Sequence, residues 1–379
     1  MSSGKKIKLV QIVGQHIRDA SFEWLAQEID RERFDLDFVI IDNGHAPLAD
    51  YLDRRALPYS RIRCAGPSDL ARTARAVCRY CLVNKPDVVH THYGGNLPGL
   101  FGAMLARVPV RLFYRHYTGA PHRRLPLKMK GFTWLNNHCS THVIASDELV
   151  RDVLLAEGVA PRRISIIPFG FDLDAFASVP NEAVAALRKK YLAADAYPVV
   201  GIVSRCMELK GIQYVVPAFR RLLVDHPRAF LVHAGAYGPY ESEVNRLFGS
   251  LPPDSYVRVR FEDDLYSLFR LFDVFVHVPV SPGVEAFGRV YVEAMAAGVP
   301  SVITLSGIAL EYAEHMKNAW VVEHRNSEQI YRGIKELIEN AHLRESIVAG
   351  GCESVRHSFY RSKMTGALQE LYARLARGP

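Results

Sequence analysis

Two glutamates eight residues apart, Glu285 and Glu293, frame the string Glu-Ala-Phe-Gly-Arg-Val-Tyr-Val-Glu. It runs on into Ala-Met-Ala-Ala-Gly298-Val-Pro-Ser-Val-Ile-Thr304. A helix beginning near Phe287 leaves Glu285 in the loop before it and sets Glu293 about two turns inside. Gly298 reads as the helix stop, and Val299 to Ile303 as a short buried strand. A loop that feeds a helix N-terminus offers unpaired backbone N–H groups and the positive end of a dipole, which suits a phosphate. Gly288 lets a ligand come close to the backbone. The two carboxylates can accept hydrogen bonds from sugar hydroxyls, one on each side of that phosphate. Together these groups suit a sugar–diphosphate–ribose compound.

A second constellation is Ser204-Arg205-Cys-Met-Glu-Leu-Lys210-Gly211, which follows an apolar strand pattern and precedes a helical one. Arg205 supplies a bidentate fork and Lys210 a point charge, a pair able to grip a diphosphate. Both would neutralise the charge that builds on a departing phosphate. In the first half of the chain, His116 stands in Arg111-Leu-Phe-Tyr-Arg115-His116, just after a strand. Gly14, in Val13-Gly14-Gln15-His16, ends the first strand, with Arg18 and Asp19 close behind.

The Glu285-x7-Glu293 string, with Phe287-Gly288 inside it and Glu-Ala-Met-Ala-Ala-Gly-Val-Pro after it, resembles the nucleotide-sugar motif of the family 4 retaining glycosyltransferases. That resemblance implies a GT-B fold: α/β, with two Rossmann-like doubly wound domains facing a central cleft. It also implies roles. Glu293 holds the ribose diol, Arg205 and Lys210 hold the diphosphate, and Glu285 with the Phe287-Gly288 backbone holds the sugar. A histidine at the position of His116 contacts the donor sugar, so His116 and Glu285 are the expected catalytic residues. The family's loop after the first strand has two glycines that touch the phosphates. Here Gly14 keeps one, and Gln15 replaces the other. In the family's Arg-…-Lys-Gly pair the usual glycine before the arginine is Ser204 here. Arg18 and Asp19 are candidates for the acceptor side, and His92, in His-Thr-His-Tyr-Gly-Gly-Asn, matches a string with a mainly structural role.

Other chemistries find less support. Asp35-Leu-Asp37 and Asp172-Leu-Asp174 each satisfy a literal D-x-D, the metal-holding motif of the other glycosyltransferase architecture. Neither lies beside the Arg205–Lys210 grip, so no metal is expected. Cys78-Arg-Tyr-Cys81 lacks the second pair or the spaced histidines of a zinc site, and falls late in a helical pattern. No G-x-G-x-x-G follows a strand, and no G-x-x-x-x-G-K-[ST] exists, which sets aside a dinucleotide dehydrogenase and a P-loop kinase.

The elements that must position these residues alternate. Strand patterns at Lys8 to Val13, Phe34 to Ile41, Val88 to His92, Val110 to Tyr114, Thr141 to Ala145 and Ile164 to Ile167 are separated by helical ones. The rhythm then restarts at Val199 to Ser204. It continues through Ile212 to Asp225, Phe230 to Ala234, Glu241 to Leu247, Val257 to Phe261, Tyr266 to Phe272 and Val274 to Val278. Two βαβ series imply two parallel sheets with right-handed crossovers. We expect an N-terminal acceptor-side domain over 1–175 and a nucleotide-sugar-binding domain over 176–358, with the linker near 170–195. An amphipathic helix, Phe359 to Leu375, closes the chain. The resemblance implies that this helix (359–379 with its tail) packs back on the N-terminal domain.

The 379 residues, 49% hydrophobic and 23% charged, suit two globular domains. No run of 18 apolar residues is present, and the basic N-terminus leads into a first strand rather than a signal peptide. A cytoplasmic setting follows, and the six scattered cysteines suit reduced thiols. The net charge of +7 comes without a nucleic-acid motif. Cations and aromatics interleave over 111–134, including Arg115, Arg123, Arg124, Lys128, Lys130, Phe132 and Trp134. This run suits either a solvated loop or an anionic membrane face at the inner side of the membrane. The function implied is retaining transfer from a nucleotide-diphosphate sugar to a glycan or lipid-linked acceptor, in surface polysaccharide or lipopolysaccharide assembly, with no cofactor. A GT-B nucleotide-sugar epimerase and an inactive nucleotide-sugar-binding partner subunit remain open alternatives.

Overall fold

A computed structural model describes residues 5–14, 19–44, 46–117 and 127–378 of the chain. They fall into two compact units, one drawn from 1–170 with 361–379 and the other from 171–360.

The first unit is built on seven parallel strands: β1 (Ile7–Gly14), β2 (Phe34–Asp42), β3 (Tyr59–Arg63), β4 (Val88–His92), β5 (Val110–Arg115), β6 (His142–Ala145) and β7 (Ile164–Ile166). Their order is β3-β2-β1-β4-β5-β6-β7. This sheet is buried on both faces, as a parallel sheet with helical crossovers requires. Alternate residues serve the two faces. Leu9, Val13, Phe38 and Ile40 enter one core cluster, and Val10, Ile12, Val39 and Ile41 enter the other. The first cluster is covered by the helices Ala20–Glu28, Pro47–Arg54 and Arg361–Ala376. The second is covered by Leu70–Asn84 and Asn96–Leu105, with Leu127–Cys139 packed beside the latter.

The last helix, Arg361–Ala376, is part of this unit although the whole second unit separates it in sequence. It buries Met364, Leu368, Leu371 and Tyr372 in the first cluster. Thr365 Oγ1 donates to Glu28 at 2.6 Å, and Gln369 Oε1 accepts the Asp30 amide at 2.7 Å.

The second unit has six parallel strands: β8 (Val199–Val203), β9 (Phe230–Ala234), β10 (Tyr256–Val259), β11 (Val274–His277), β12 (Ser301–Ile303) and β13 (Trp320–Val321). Their order, β10-β9-β8-β11-β12-β13, repeats the doubly wound pattern. Val200, Leu231, Val274 and Val276 face one cluster, and Val199, Val232 and Phe275 the other.

Several boundaries differ from the sequence reading. The units change over at 170/171 and 360/361 rather than at 175/176 and 358/359. The helix expected from Phe287 begins at Arg289, because Gly288 takes a left-handed conformation (φ +85°) and caps it. Elements not read from the sequence include the helix Pro47–Arg54, the edge strands β3 and β13, and the long helices Ser327–Glu339 and Ala341–Ser358. No helix of the described residues is long and apolar enough to cross a membrane.

Candidate active site

The site in the second unit is assembled at the C-terminal ends of β8 and β11, which lie side by side. The segment after β8 holds Arg205, a single turn over Glu208–Lys210, and Gly211, which starts the helix Ile212–Asp225. Gly211 has φ +77°, and a Cβ there would lie 1.9 Å from the Val278 carbonyl oxygen. Only glycine allows this contact with the loop that leaves β11. The Val280 amide donates to the Leu209 carbonyl at 3.0 Å and fixes the same approach. Lys210 is thereby carried to Glu285.

Lys210 Nζ lies 2.5 Å from Glu285 Oε1, and His277 Nε2, at the last residue of β11, lies 2.8 Å from the same oxygen. Both donors converge on Oε1. Among the described residues nothing bonds Oε2, which is the oxygen left to accept from a ligand. Glu285 is buried. Burial alone would raise its pKa, but the His277 hydrogen bond and the Lys210 charge outweigh that and hold it at about 2. Burial pushes His277 the other way, below the usual imidazole value, against the pull of Glu285. At neutral pH Glu285 is therefore a carboxylate and His277 a neutral imidazole that donates its Nε2–H to it.

The loop bearing Glu285 is held by a second one. The Glu285 amide donates to Ser306 Oγ at 3.1 Å, and that hydroxyl donates to the Pro282 carbonyl at 2.9 Å. The Ile308 amide donates to the Phe287 carbonyl at 2.9 Å. Gly307, at φ +58°, would set a Cβ 2.7 Å from that of Glu285. The Phe287 ring is buried between Phe171 and Phe359, with centroids at 6.2 and 5.7 Å. Its ring thus belongs to the core, and only its backbone is placed for a ligand.

Glu293 sits one turn into the helix Arg289–Ala296, nearer the N-terminus than the sequence reading set it, with its side chain 12% exposed. Arg289 Nε is 3.6 Å from its carboxylate, and burial raises its pKa against that pull. Arg205 is exposed, and nothing among the described residues binds its guanidinium. Thus Lys210 and Glu285 are in direct contact, while Arg205, Gly288 and Glu293 stand on the same sheet edge.

The residues expected in the first unit lie at the equivalent edge of its sheet. His116 directly follows β5, its ring stacked on Tyr93 at 4.0 Å, Tyr114 at 4.9 Å and Phe169 at 5.6 Å. Gly14 ends β1 against the backbone after β4, and a Cβ there would lie 2.3 Å from the Gly95 amide nitrogen. Its smallness thus serves packing within the unit. Gln15 and Arg18 lie outside the described residues. Asp19 caps the helix Ala20–Glu28 through the Ser21 amide at 3.0 Å. Beneath His116, the buried polar group His90, His92, Gln11 and Tyr372 is joined by bonds of 2.7 to 3.2 Å.

The two D-x-D strings have other tasks. Asp37 accepts from Tyr80 and from the Phe38 amide. Asp172 caps Leu173–Ala177, and Asp174 accepts from Tyr360 at 2.8 Å. Of the membrane run, residues 118–126 lie outside the described residues, while Lys130 and Trp134 are exposed.

His277, Ser306 and Gly307 were not read from the sequence. A histidine closing a short apolar strand is an unremarkable pattern, and the one available signal was its place just before the glutamate loop.

Comparison with known proteins follows the division into units. Residues 19–170 match the family model described as glycosyl transferase 4-like domain, and residues 184–353 that of glycosyl transferases group 1. A GDP-mannose-dependent monoacylated alpha-(1-6)-phosphatidylinositol monomannoside mannosyltransferase of Corynebacterium glutamicum is 30% identical over 190 residues, 49% of this chain and 49% of that protein. The D-inositol 3-phosphate glycosyltransferase of Mycobacterium tuberculosis is 30% identical over 270 residues, 64% of this chain and 52% of that protein. The chain spans about half the length of these curated relatives. Among solved structures, Anabaena HepE in complex with UDP and glucose aligns with a TM-score of 0.81 at 19% identity, covering 96% of this chain and 99% of that one. A glycosyltransferase from Rickettsia africae aligns with a TM-score of 0.80 at 19% identity, covering 99% and 100%. With a glycosyltransferase domain model matching each of its two parallel-sheet units, the chain belongs to the GT-B glycosyltransferases.

Proposed function

We propose that the chain is a retaining, metal-independent glycosyltransferase. It moves a sugar from a nucleotide-diphosphate sugar to a glycan or lipid-linked acceptor in surface polysaccharide or lipopolysaccharide assembly. The observation that carries this reading is the Lys210–Glu285–His277 cluster, with Oε2 of Glu285 left open three residues before the cap of the Glu293 helix. The names of relatives support a nucleotide-sugar donor: one acts on GDP-mannose, and a structural neighbour holds UDP and glucose.

In this mechanism Glu293 accepts from the ribose hydroxyls. Arg205 and Lys210 take the diphosphate, and Glu285 Oε2 with the Phe287–Gly288 backbone takes the sugar. The bond from the anomeric carbon to the diphosphate oxygen breaks and its electron pair leaves with the nucleotide, while an acceptor hydroxyl oxygen bonds to the same face of that carbon and gives its proton to the departing phosphate. The two cations neutralise the charge that develops there. His116 serves the donor sugar from the first unit. Neutral His277 holds Glu285 in place, so that Lys210 can exchange the carboxylate for phosphate without leaving Glu285 unsupported.

A thermal-shift panel of UDP- and GDP-sugars tests the donor. A specific ligand at a hundredfold its dissociation constant stabilises by about 2.7 kcal/mol. The absence of any shift with all nucleotide sugars and both nucleoside diphosphates would overturn the reading. Activity is expected to persist in EDTA, and NMR of the product to show the donor's anomeric configuration. Conversion of the sugar nucleotide without acceptor would instead identify an epimerase.

A further inference from the structure

Three helices side by side in the first unit contain no acidic residue: Leu70–Asn84, Asn96–Leu105 and Leu127–Cys139. Across the chain Asp and Glu number 40 in 379 residues. The same helices carry Arg72, Arg75, Arg79 and Lys130, and exposed Lys85 and Arg107 follow the first two. The acid closest in sequence, Asp69, precedes the first helix and is paired with Arg72 at 2.9 Å. The opposite face of the same sheet is different. Its helices carry Glu23, Glu28, Asp50, Asp53 and Glu370 against Arg54, Arg361, Lys363 and Arg374. The three helices thus carry cations without acids, whereas the helices of the opposite face nearly balance the two.

That side is also apolar. Val83 is 72% exposed, Trp134 60%, Leu105 53% and Phe101 40%. Leu70, Ala71, Ala74, Leu97, Phe101 and Leu135 line a groove of about 250 Å³ to which all three helices contribute. The first two helices start just beyond the C-terminal ends of β3 and β4, and most of their groove residues lie in their first halves, so the groove sits at the helix ends nearest the sheet edge that bears Gly14 and His116.

We propose that this face docks on an anionic lipid bilayer, with the groove taking an acyl chain. Cations without acids, mixed with exposed aliphatic residues and a tryptophan, match the boundary between anionic headgroups and acyl chains. A nucleic acid offers the charge but no apolar phase for Val83 and Leu105. The inference deepens the proposed function by naming a lipid-anchored acceptor, whose sugar end would then reach the edge at His116. It extends the membrane contact from the part of the run 111–134 that forms the third helix, with Lys130 and Trp134, to the two helices beside it.

Vesicle co-sedimentation without nucleotide sugar tests the proposal, so its outcome is separate from that of transfer. Wild type is expected to bind vesicles containing phosphatidylglycerol at low salt and to leave pure phosphatidylcholine in solution. Each cation near an anionic surface multiplies binding about fivefold, so Arg75→Glu with Arg79→Glu should lower it at least tenfold. Phe101→Ser with Leu105→Ser should lower it on the same vesicles with the charge intact. Trp134 emission should shift to the blue on binding. All four side chains are exposed or partly so, and unchanged thermal unfolding checks that each variant is folded. No binding by wild type, equal binding to both vesicle types, or binding untouched by both variants overturns the proposal. So does a dimer in ultracentrifugation that Phe101→Ser with Leu105→Ser abolishes, since the face would then be an interface between copies.

Discussion

Lys210 Nζ and Glu285 Oε1 are 2.5 Å apart although the residues are 75 positions apart in sequence, and His277 takes the same oxygen. Removing the lysine strands a buried carboxylate beside a neutral ring. Lys210→Met should therefore cost about 3–5 kcal/mol of stability. Adding Glu285→Gln should recover much of that loss while transfer stays abolished. Denaturant unfolding and a transfer assay on the single and double variants check this. Additive losses of stability would show that the two groups are not coupled.

Glu293 is expected to behave in the opposite way. Its folded pKa is raised, so ionisation in the fold costs stability at neutral pH, and that penalty disappears as pH falls. Glu293→Gln should raise the melting temperature of the protein alone. It should also weaken the nucleoside diphosphate on the order of tenfold, since a hydrogen bond to a charged group contributes roughly 1.5–3 kcal/mol. Calorimetry with the free diphosphate decides it, and unchanged affinity would remove Glu293 from the ribose.

Among the described residues five buried histidines set the acid limit of the fold. Burial lowers the pKa of His90 to about 3 and of His142 and His233 to about 4, and it lowers His92 and His277 as well. Below pH 6.5 the unfolded chain takes up protons that the fold refuses. Stability is complete above that value and falls as pH drops toward the folded values, by up to about 1.4 kcal/mol per unit for each histidine. Glu285 adds to the loss at lower pH, between about 4.5 and 2. Melting curves at pH 7.5, 6.5 and 5.5 should show accelerating loss, and a flat profile would contradict the burial of these rings.

Gly14→Ala tests a packing role against a ligand role. The added methyl would meet the Gly95 amide at 2.3 Å, with backbone on the other side that cannot rotate away. A loss of roughly 1–3 kcal/mol or more is expected from such overpacking. Gly44→Ala, where nothing lies within 4 Å, serves as the control. A stable Gly14→Ala protein with weakened donor binding would instead support a contact between this loop and the phosphates.

The sequence made legible those parts in which local pattern and final environment agree. The strands Val88–His92 and Phe230–Ala234 and the helix Ile212–Asp225 stand where their apolar runs and periodicity set them. The edge strand β3 lacks such a run, since it alternates Ser60, Arg61 and Arg63 with Tyr59 and Ile62, and β13 is only two residues long. The helix Ala341–Ser358 hides behind Gly350 and Gly351. A Cβ on Gly350 would meet the Lys317 carbonyl at 2.2 Å, a constraint of packing that no local rule conveys. Glu285 was legible from its string, but its bond to His277 depends on the loop after β11 folding back on that strand. The Arg205–Lys210 string was visible as two cations, while the contact that brings one of them to Glu285 needed the approach of Gly211 to Val278.

The first unit is completed by residues 361–376, which supply Tyr372 to the buried group of His90 and Gln11. During synthesis the ribosome releases the N-terminus first, so the whole of 171–360 emerges before this unit can close its core. Until then Phe34, Leu36 and the other apolar residues that meet Leu368 and Tyr372 remain uncovered. The nascent chain thus holds an unfinished first half through most of its translation. A stop codon placed after residue 360 would leave that half permanently exposed to chaperones and proteases, even with every residue of the second unit intact.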